Sequence, residues 1–147
     1  MKTLIVYYSF KGTTRKLCES LAGPGIDLYE VKEEKKRSTV GAYILGGYSA
    51  IKRKPSKIQP IKIDTSPYDL ILVAFPIWAS SMCPAAVAVF EQLNVNNKRV
   101  VLLAVSASGN DCSEKLKPIV EGAGGKLTKI YNVKSGEGVD IAELKKG

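Results

Sequence analysis

Apolar residues fall into two kinds of grouping along this chain. Some form continuous or nearly continuous runs, as in Leu4-Ile5-Val6-Tyr7-Tyr8, in residues 68–75 apart from Asp69, and in residues 99–105 after Arg99. A run with no polar alternation suits a strand covered on both faces, as in a parallel sheet. Others recur every three or four positions and so line one face of a helix. Leu17, Cys18, Leu21 and Ala22 do this, as do Ala86, Val89, Phe90 and Leu93, and then Leu116, Ile119, Val120 and Ala123.

The spacing predicts strands over residues 2–8, around Ile26, Leu28 and Val31, and over 68–75, 99–105 and 127–133. Helices are predicted over 13–22, after Ser38 through Val40, Tyr43 and Ile44, from Pro84, from Asp111 or Ser113, and from Asp140. Gly23-Pro24-Gly25, Ser66-Pro67, Asn96-Asn97 and residues 122–125 punctuate them. Pro76 is expected to stop the third strand and to open a loop over 76–83. Residues 30–37 form a charge run, read as a solvated turn or helix start. Residues 50–65 read as a polar connector. Strand and helix alternate throughout. The expected fold is α/β, an open doubly wound five-stranded parallel sheet with helices on both faces, and residues 1–147 form one domain.

In such sheets ligands bind beyond the carboxyl ends of the strands, where the winding direction reverses. Three loops follow carboxyl ends here and all are small or hydroxyl-rich: 9–14, 76–83 and 106–110. Ser9-Phe10-Lys11-Gly12-Thr13-Thr14 joins a strand to a helix. A helix N-terminus offers free N–H groups and a partial positive charge, Gly12 lets the backbone approach a ligand, and hydroxyls and Lys11 add donors. Phosphate is the anion this suits. The competing interpretation is an ordinary turn with Thr capping a helix.

Composition narrows the chemistry. The chain lacks histidine, which excludes catalytic triads and His metal sites. Cys18, Cys83 and Cys112 are scattered without metal-ligand spacing, so no metal is expected. Cys83 and Cys112 fall near predicted helix starts, where a thiol pKa tends to drop, but small buried side chains are the simpler expectation. With so few catalytic groups, chemistry belongs to a cofactor and no catalytic side chain is assigned. Net charge is +8, from 22 basic and 14 acidic residues. The basic residues are spread out and lack interleaved aromatics, which argues against nucleic acid and toward an acidic protein partner or a plain basic surface. No run is long enough for a membrane span and no leader pattern is seen, so a cytoplasmic protein is expected.

Taken together, these motifs resemble those of flavodoxins. Ser9, Gly12, Thr13 and Thr14 are similar to the family's phosphate loop, with Lys11 where a Thr is usual. Gly47-Tyr48-Ser49-Ala50 before a basic stretch resembles one branch of the family, and Pro76-Ile77-Trp78-Ala79 resembles its second loop. The resemblance implies FMN, its phosphate held by Ser9, Phe10, Lys11, Gly12, Thr13 and Thr14. The ring would lie between Pro76, Ile77, Trp78, Ala79 and Ser80 on one side and Ser106, Ala107, Ser108, Gly109 and Asn110 on the other. Trp78 is the stacking candidate. The third loop lacks the second aromatic that many relatives carry there, which leaves one ring face more open. Loops 76–83 and 106–110 hold no carboxylate, so anionic reduced flavin should be less destabilised than in acidic relatives.

The implied function is single-electron transfer between redox partner proteins, with no side chain acting as acid or base. Two alternatives remain open: an FMN-dependent NAD(P)H reductase of quinones or nitro-compounds, and a flavin-free interaction domain. Oligomeric state is not legible.

Overall fold

The computed structural model describes residues 2–34 and 56–146. The helix expected after Ser38, the Gly47-Tyr48-Ser49-Ala50 motif and the basic Lys52-Arg53-Lys54 lie outside these residues. Strands β1 (Thr3–Tyr7), β2 (Ile26–Glu30), β3 (Leu70–Trp78), β5 (Arg99–Ser106) and β6 (Lys126–Lys134) form a parallel sheet in the order β2-β1-β3-β5-β6. A two-residue strand, β4 (Ser81–Met82), folds back antiparallel onto the end of β3. Helices α1 (Thr13–Ser20), α2 (Pro84–Gln92), α3 (Ser113–Gly122) and α4 (Ile141–Lys145) complete the described elements.

The apolar runs are explained by what covers them. In β1, Leu4 and Val6 face one layer while Ile5 and Tyr7 face the other; β3 and β5 divide the same way. One layer is built from α2 and α3, the other from α1 and the single turn of α4 around Leu144. Alternate residues of a strand point to opposite faces, so a sheet covered twice needs apolar residues at every position.

Three local expectations change. Pro76 does not end β3: the strand continues through Ile77 and Trp78, with Pro76 opposite Val105. Proline is tolerated here because it lies past the last β1–β3 pair, Tyr7 opposite Ala74, on the side where the Ala74 carbonyl accepts from Tyr8 N–H and β1 has ended. The stop comes instead at Ala79 and Ser80, both in left-handed backbone (φ 52° and 58°), which turn the chain into β4. Second, the charge run is not simply solvated. Glu30 closes β2 and accepts from Arg15 Nε at 2.9 Å, and Glu33 accepts from the Tyr8 hydroxyl at 2.6 Å. Third, α1 begins on Gly12 with no side-chain cap; α3 begins on Cys112, with the preceding Asp111 accepting from Ser113 N–H at 2.9 Å, and Asp140 caps α4, accepting from Ala142 N–H.

The cysteines are packing residues. Burial pushes the Cys18 and Cys83 thiols from the ordinary 9.0 up to about 12, and the Cys112 thiol is also raised, first by burial and then by the Asp111 charge. Desolvation thus outweighs the helix N-terminus at Cys83 and Cys112. Between these limits the folded chain holds protons that the unfolded chain releases. Stability contributed by the two buried thiols is therefore complete below about pH 9 and is lost as pH rises toward about 12. Urea midpoints measured from neutral to strongly alkaline pH should be level up to about 9 and then fall, and the fall should shrink in a Cys18→Ala/Cys83→Ala variant.

Candidate functional site

The chain visits β2 on one side of β1 and then crosses to β3 on the other, so the winding reverses between β1 and β3. At the carboxyl ends of β1, β3 and β5 lies a cleft of about 620 Å³, a size usual for sites that take a small organic molecule. It is lined by Ser9, Phe10, Lys11, Thr13, Thr14, Pro76, Ile77, Trp78, Ala79, Val105, Ser106, Ala107 and Ser135.

Its first end is the β1–α1 loop. Ser9 Oγ accepts from Gly12 N–H at 3.0 Å, which closes the loop. Gly12 adopts φ +95°, a conformation that glycine takes without strain, and no atom lies within 4 Å of where a Cβ would stand. Helix α1 starts on this residue, so the N–H groups of its first turn have no acceptor within the helix. The helix has no hydroxyl cap, against the plain capped-turn interpretation. The loop between β5 and α3 is closed in the same way: Ser106 Oγ accepts from Gly109 N–H at 2.9 Å. In both loops the serine accepts a bond and keeps its own proton to donate.

The second end is aromatic. Trp78 sits on the last residue of β3, held between Tyr8 (ring centroids 6.3 Å, planes 81°) and Phe10 (5.7 Å, 90°). Edge-to-face pairs of this geometry are favourable and fix the plane of the indole. The β3–β4 turn, with its two residues at positive φ, carries the chain sharply past the indole; non-glycine residues in this region each cost on the order of 1 kcal/mol, and such strain concentrates at functional sites.

The expected residues are not all at the cleft. Ser80 belongs to the strained turn and does not line it. Ser108, Gly109 and Asn110 do not line it either, because the loop folds back toward β6: a Cβ on Gly109 would meet that of Lys134 at 3.3 Å. Gly12 faces a neighbouring cleft on the α1 side. Val105 and Ser135 are lining residues that the sequence reading missed. Ser135 opens a fourth carboxyl-end loop, Ser135-Gly136-Glu137-Gly138, as rich in small residues as the other three, and that was the available signal. Among the described lining residues Lys11 carries the one ionisable charge and there is no carboxylate.

Unpaired N–H groups, hydroxyls and a lysine at one end, with a braced indole at the other, suit a molecule carrying phosphate at one end and a flat aromatic ring at the other. Sequence comparison decides the family: the family model for flavodoxin matches residues 2–143. The chain belongs to the flavodoxin family. No curated protein matches it. Among solved structures, a flavoprotein of Lactobacillus acidophilus in complex with FMN superposes with a TM-score of 0.75 at 23% identity, over 99% of this chain and 97% of the other. The apo form of the flavoprotein from that organism gives 0.67 at 25% identity, over 99% and 95%. A Streptococcus pneumonia flavodoxin gives 0.54 at 15%, over 99% and 94%. These likenesses carry the flavodoxin-like α/β fold, with its strand order, across nearly the whole chain. No helix among the described residues is long and apolar enough to cross a membrane.

Proposed function

We propose that this flavodoxin-family chain binds FMN in the cleft beneath loops 9–14, 76–79 and 106–107 and carries single electrons between redox partner proteins. The observation that carries this reading is the pairing of the uncapped α1 N-terminus with Trp78 across one cleft. The complex of the Lactobacillus acidophilus flavoprotein with FMN supports the choice of flavin.

FMN would supply the redox chemistry. The chain's own residues do the rest. Ser9, Thr13 and Thr14 donate to the phosphate with the first-turn N–H groups, and Lys11 supplies charge. Pro76, Ile77 and Trp78 shield one side of the ring from water. Ser106, Ala107 and Ser135 line its opposite border. With no carboxylate among the described lining residues, negative charge on the ring is opposed less than in a carboxylate-lined site, which raises the tendency to accept electrons relative to such a site. The net charge of +8 matches an acidic docking face on the partner.

The reductase alternative is separated by one assay. NADH or NADPH added to the FMN-loaded chain should leave the flavin absorption unchanged over minutes, while a chemical reductant bleaches it. Rapid bleaching by either nicotinamide would establish the reductase instead.

A further inference from the structure

The loop that joins β5 to α3 is held from outside the cleft. Of residues 106–112, Ser106 and Ala107 line the cleft. At the front of the loop the Ser106 carbonyl accepts from Ser135 N–H at 2.8 Å. At the back, Asn132 of β6 engages it with its whole amide. Its Oδ1 accepts from Cys112 N–H at 3.1 Å, and its Nδ2 donates to Asp111 Oδ1 at 3.2 Å and to Ser113 Oγ at 3.4 Å. Between these anchors Gly109 packs on Lys134. Strand β6 thus grips the loop at both ends.

Alternation along β6 sends Asn132 to the same side as Ile130, toward the α2–α3 layer, opposite Ala104 of β5. Its partners call for asparagine: the amide oxygen faces a backbone N–H and the amide nitrogen faces a carboxylate. Aspartate at this position would set a second carboxylate against Asp111, and alanine would take away the acceptor of Cys112 N–H. Hydrogen bonds from Ser113, and then from Asn132, hold the Asp111 carboxyl below its ordinary value. The bond from Nδ2 is therefore made to an ionised acceptor, which is the stronger kind.

We infer that Asn132 is a positioning residue for the flavin site: from outside the cleft it latches loop 106–112 onto β6 and so fixes where Ser106 and Ala107 stand beside the ring. The inference rests on the flavin reading of the cleft. The bond between Ser106 and Ser135 holds one end of the loop, and with that bond alone Ala107 could swing with the residues that follow it. The second anchor removes that freedom. It acts at the ring end of the site, since the phosphate loop is carried separately by β1 and α1.

The test compares three variants of the full chain by FMN titration of the flavin-free protein, visible circular dichroism and phosphorus NMR of the bound flavin, and thermal melting. Asn132→Asp should weaken FMN about tenfold and change the dichroism of the bound ring, while the phosphorus resonance stays in place. Asn132→Ala, which adds no charge, should lose at least about threefold. The exchange Asp111→Asn/Asn132→Asp offers the same bonds at the same net charge, and it should return affinity to within about twofold of the parent and restore the dichroism. The alanine and exchange variants carry the comparison even where Asn132→Asp fails to fold. An amide with a merely structural role would give lower melting temperatures in the single variants, with the affinity and dichroism of the parent. That result, or an exchange variant that recovers its melting temperature without its affinity, would overturn the inference and leave the FMN reading standing. Failure of FMN to bind the parent chain would remove both.

Discussion

Replacing Trp78 with alanine should weaken FMN binding by roughly 10–100-fold while leaving the fold intact. Stacking of a flat ring on an aromatic side chain is worth about 1–3 kcal/mol by truncation, and tenfold in affinity corresponds to about 1.4 kcal/mol. The indole is only partly buried and sits at the end of β3, so its loss opens no sealed cavity in the core. Trp78→Phe should recover much of the affinity. Titration of each variant, with a thermal melt of the flavin-free chain, separates lost stacking from lost structure. Equal affinity in Trp78→Ala would mean that the ring lies elsewhere.

The larger effect on stability belongs to Phe75, three residues earlier. It is the largest side chain that the sheet buries completely, and it faces the α2–α3 layer. Phe75→Ala should cost about 3–5 kcal/mol, from lost transfer energy and the cavity left behind. For a chain of this size that lowers the melting temperature by on the order of 10 °C. Since Phe75 precedes Pro76-Ile77-Trp78 on the same strand, FMN should bind more weakly as well. Saturating FMN should restore part of the melting temperature, because a ligand bound only by the folded state stabilises it. A melting temperature within about 2 °C of the parent would show that the surrounding side chains close the gap.

Sequence reading recovered the sheet because its signal is redundant. A strand covered on both faces is apolar at every position, and β1, β3 and β5 each announce themselves in that way. The junction at loop 9–14 was legible for a similar reason: Gly12 stands between an apolar run and a helical stripe, and α1 begins on it. What could not be read depended on contacts between distant segments. Pro76 looks like a breaker, yet its missing donor falls past the end of β1, and the real turn uses Ala79 and Ser80 at positive φ, where neither residue type gives notice. The departure of residues 108–110 from the cleft follows from Gly109 packing on Lys134, a pairing 25 positions apart in the chain. Ser135 was missed because β6 lies at the sheet edge, where apolar alternation is weak and its carboxyl end is easily passed over. At Cys83 and Cys112 the local rule, that a helix N-terminus lowers a thiol pKa, gave way to burial, which no local rule contains.

The net charge of +8 bears on the partners that the proposed role requires. Lys11 and Lys16 border loop 9–14, and Lys134 stands beyond the third loop. Positive charge around the cleft mouth steers acidic surfaces toward it and makes the encounter sensitive to salt. In a carrier, transfer to a partner should therefore slow as ionic strength rises.

The most direct test of the central claim uses the chain's single tryptophan. Its emission reports on Trp78 and on nothing else in the protein. Addition of FMN to the flavin-free chain should quench that emission steeply, with an end point at one flavin per chain, and riboflavin, which lacks the phosphate, should require a far higher concentration. Tight binding of FMN with the tryptophan emission unchanged, or quenching equally strong with riboflavin, would contradict a site that holds phosphate at the α1 N-terminus and the ring on Trp78.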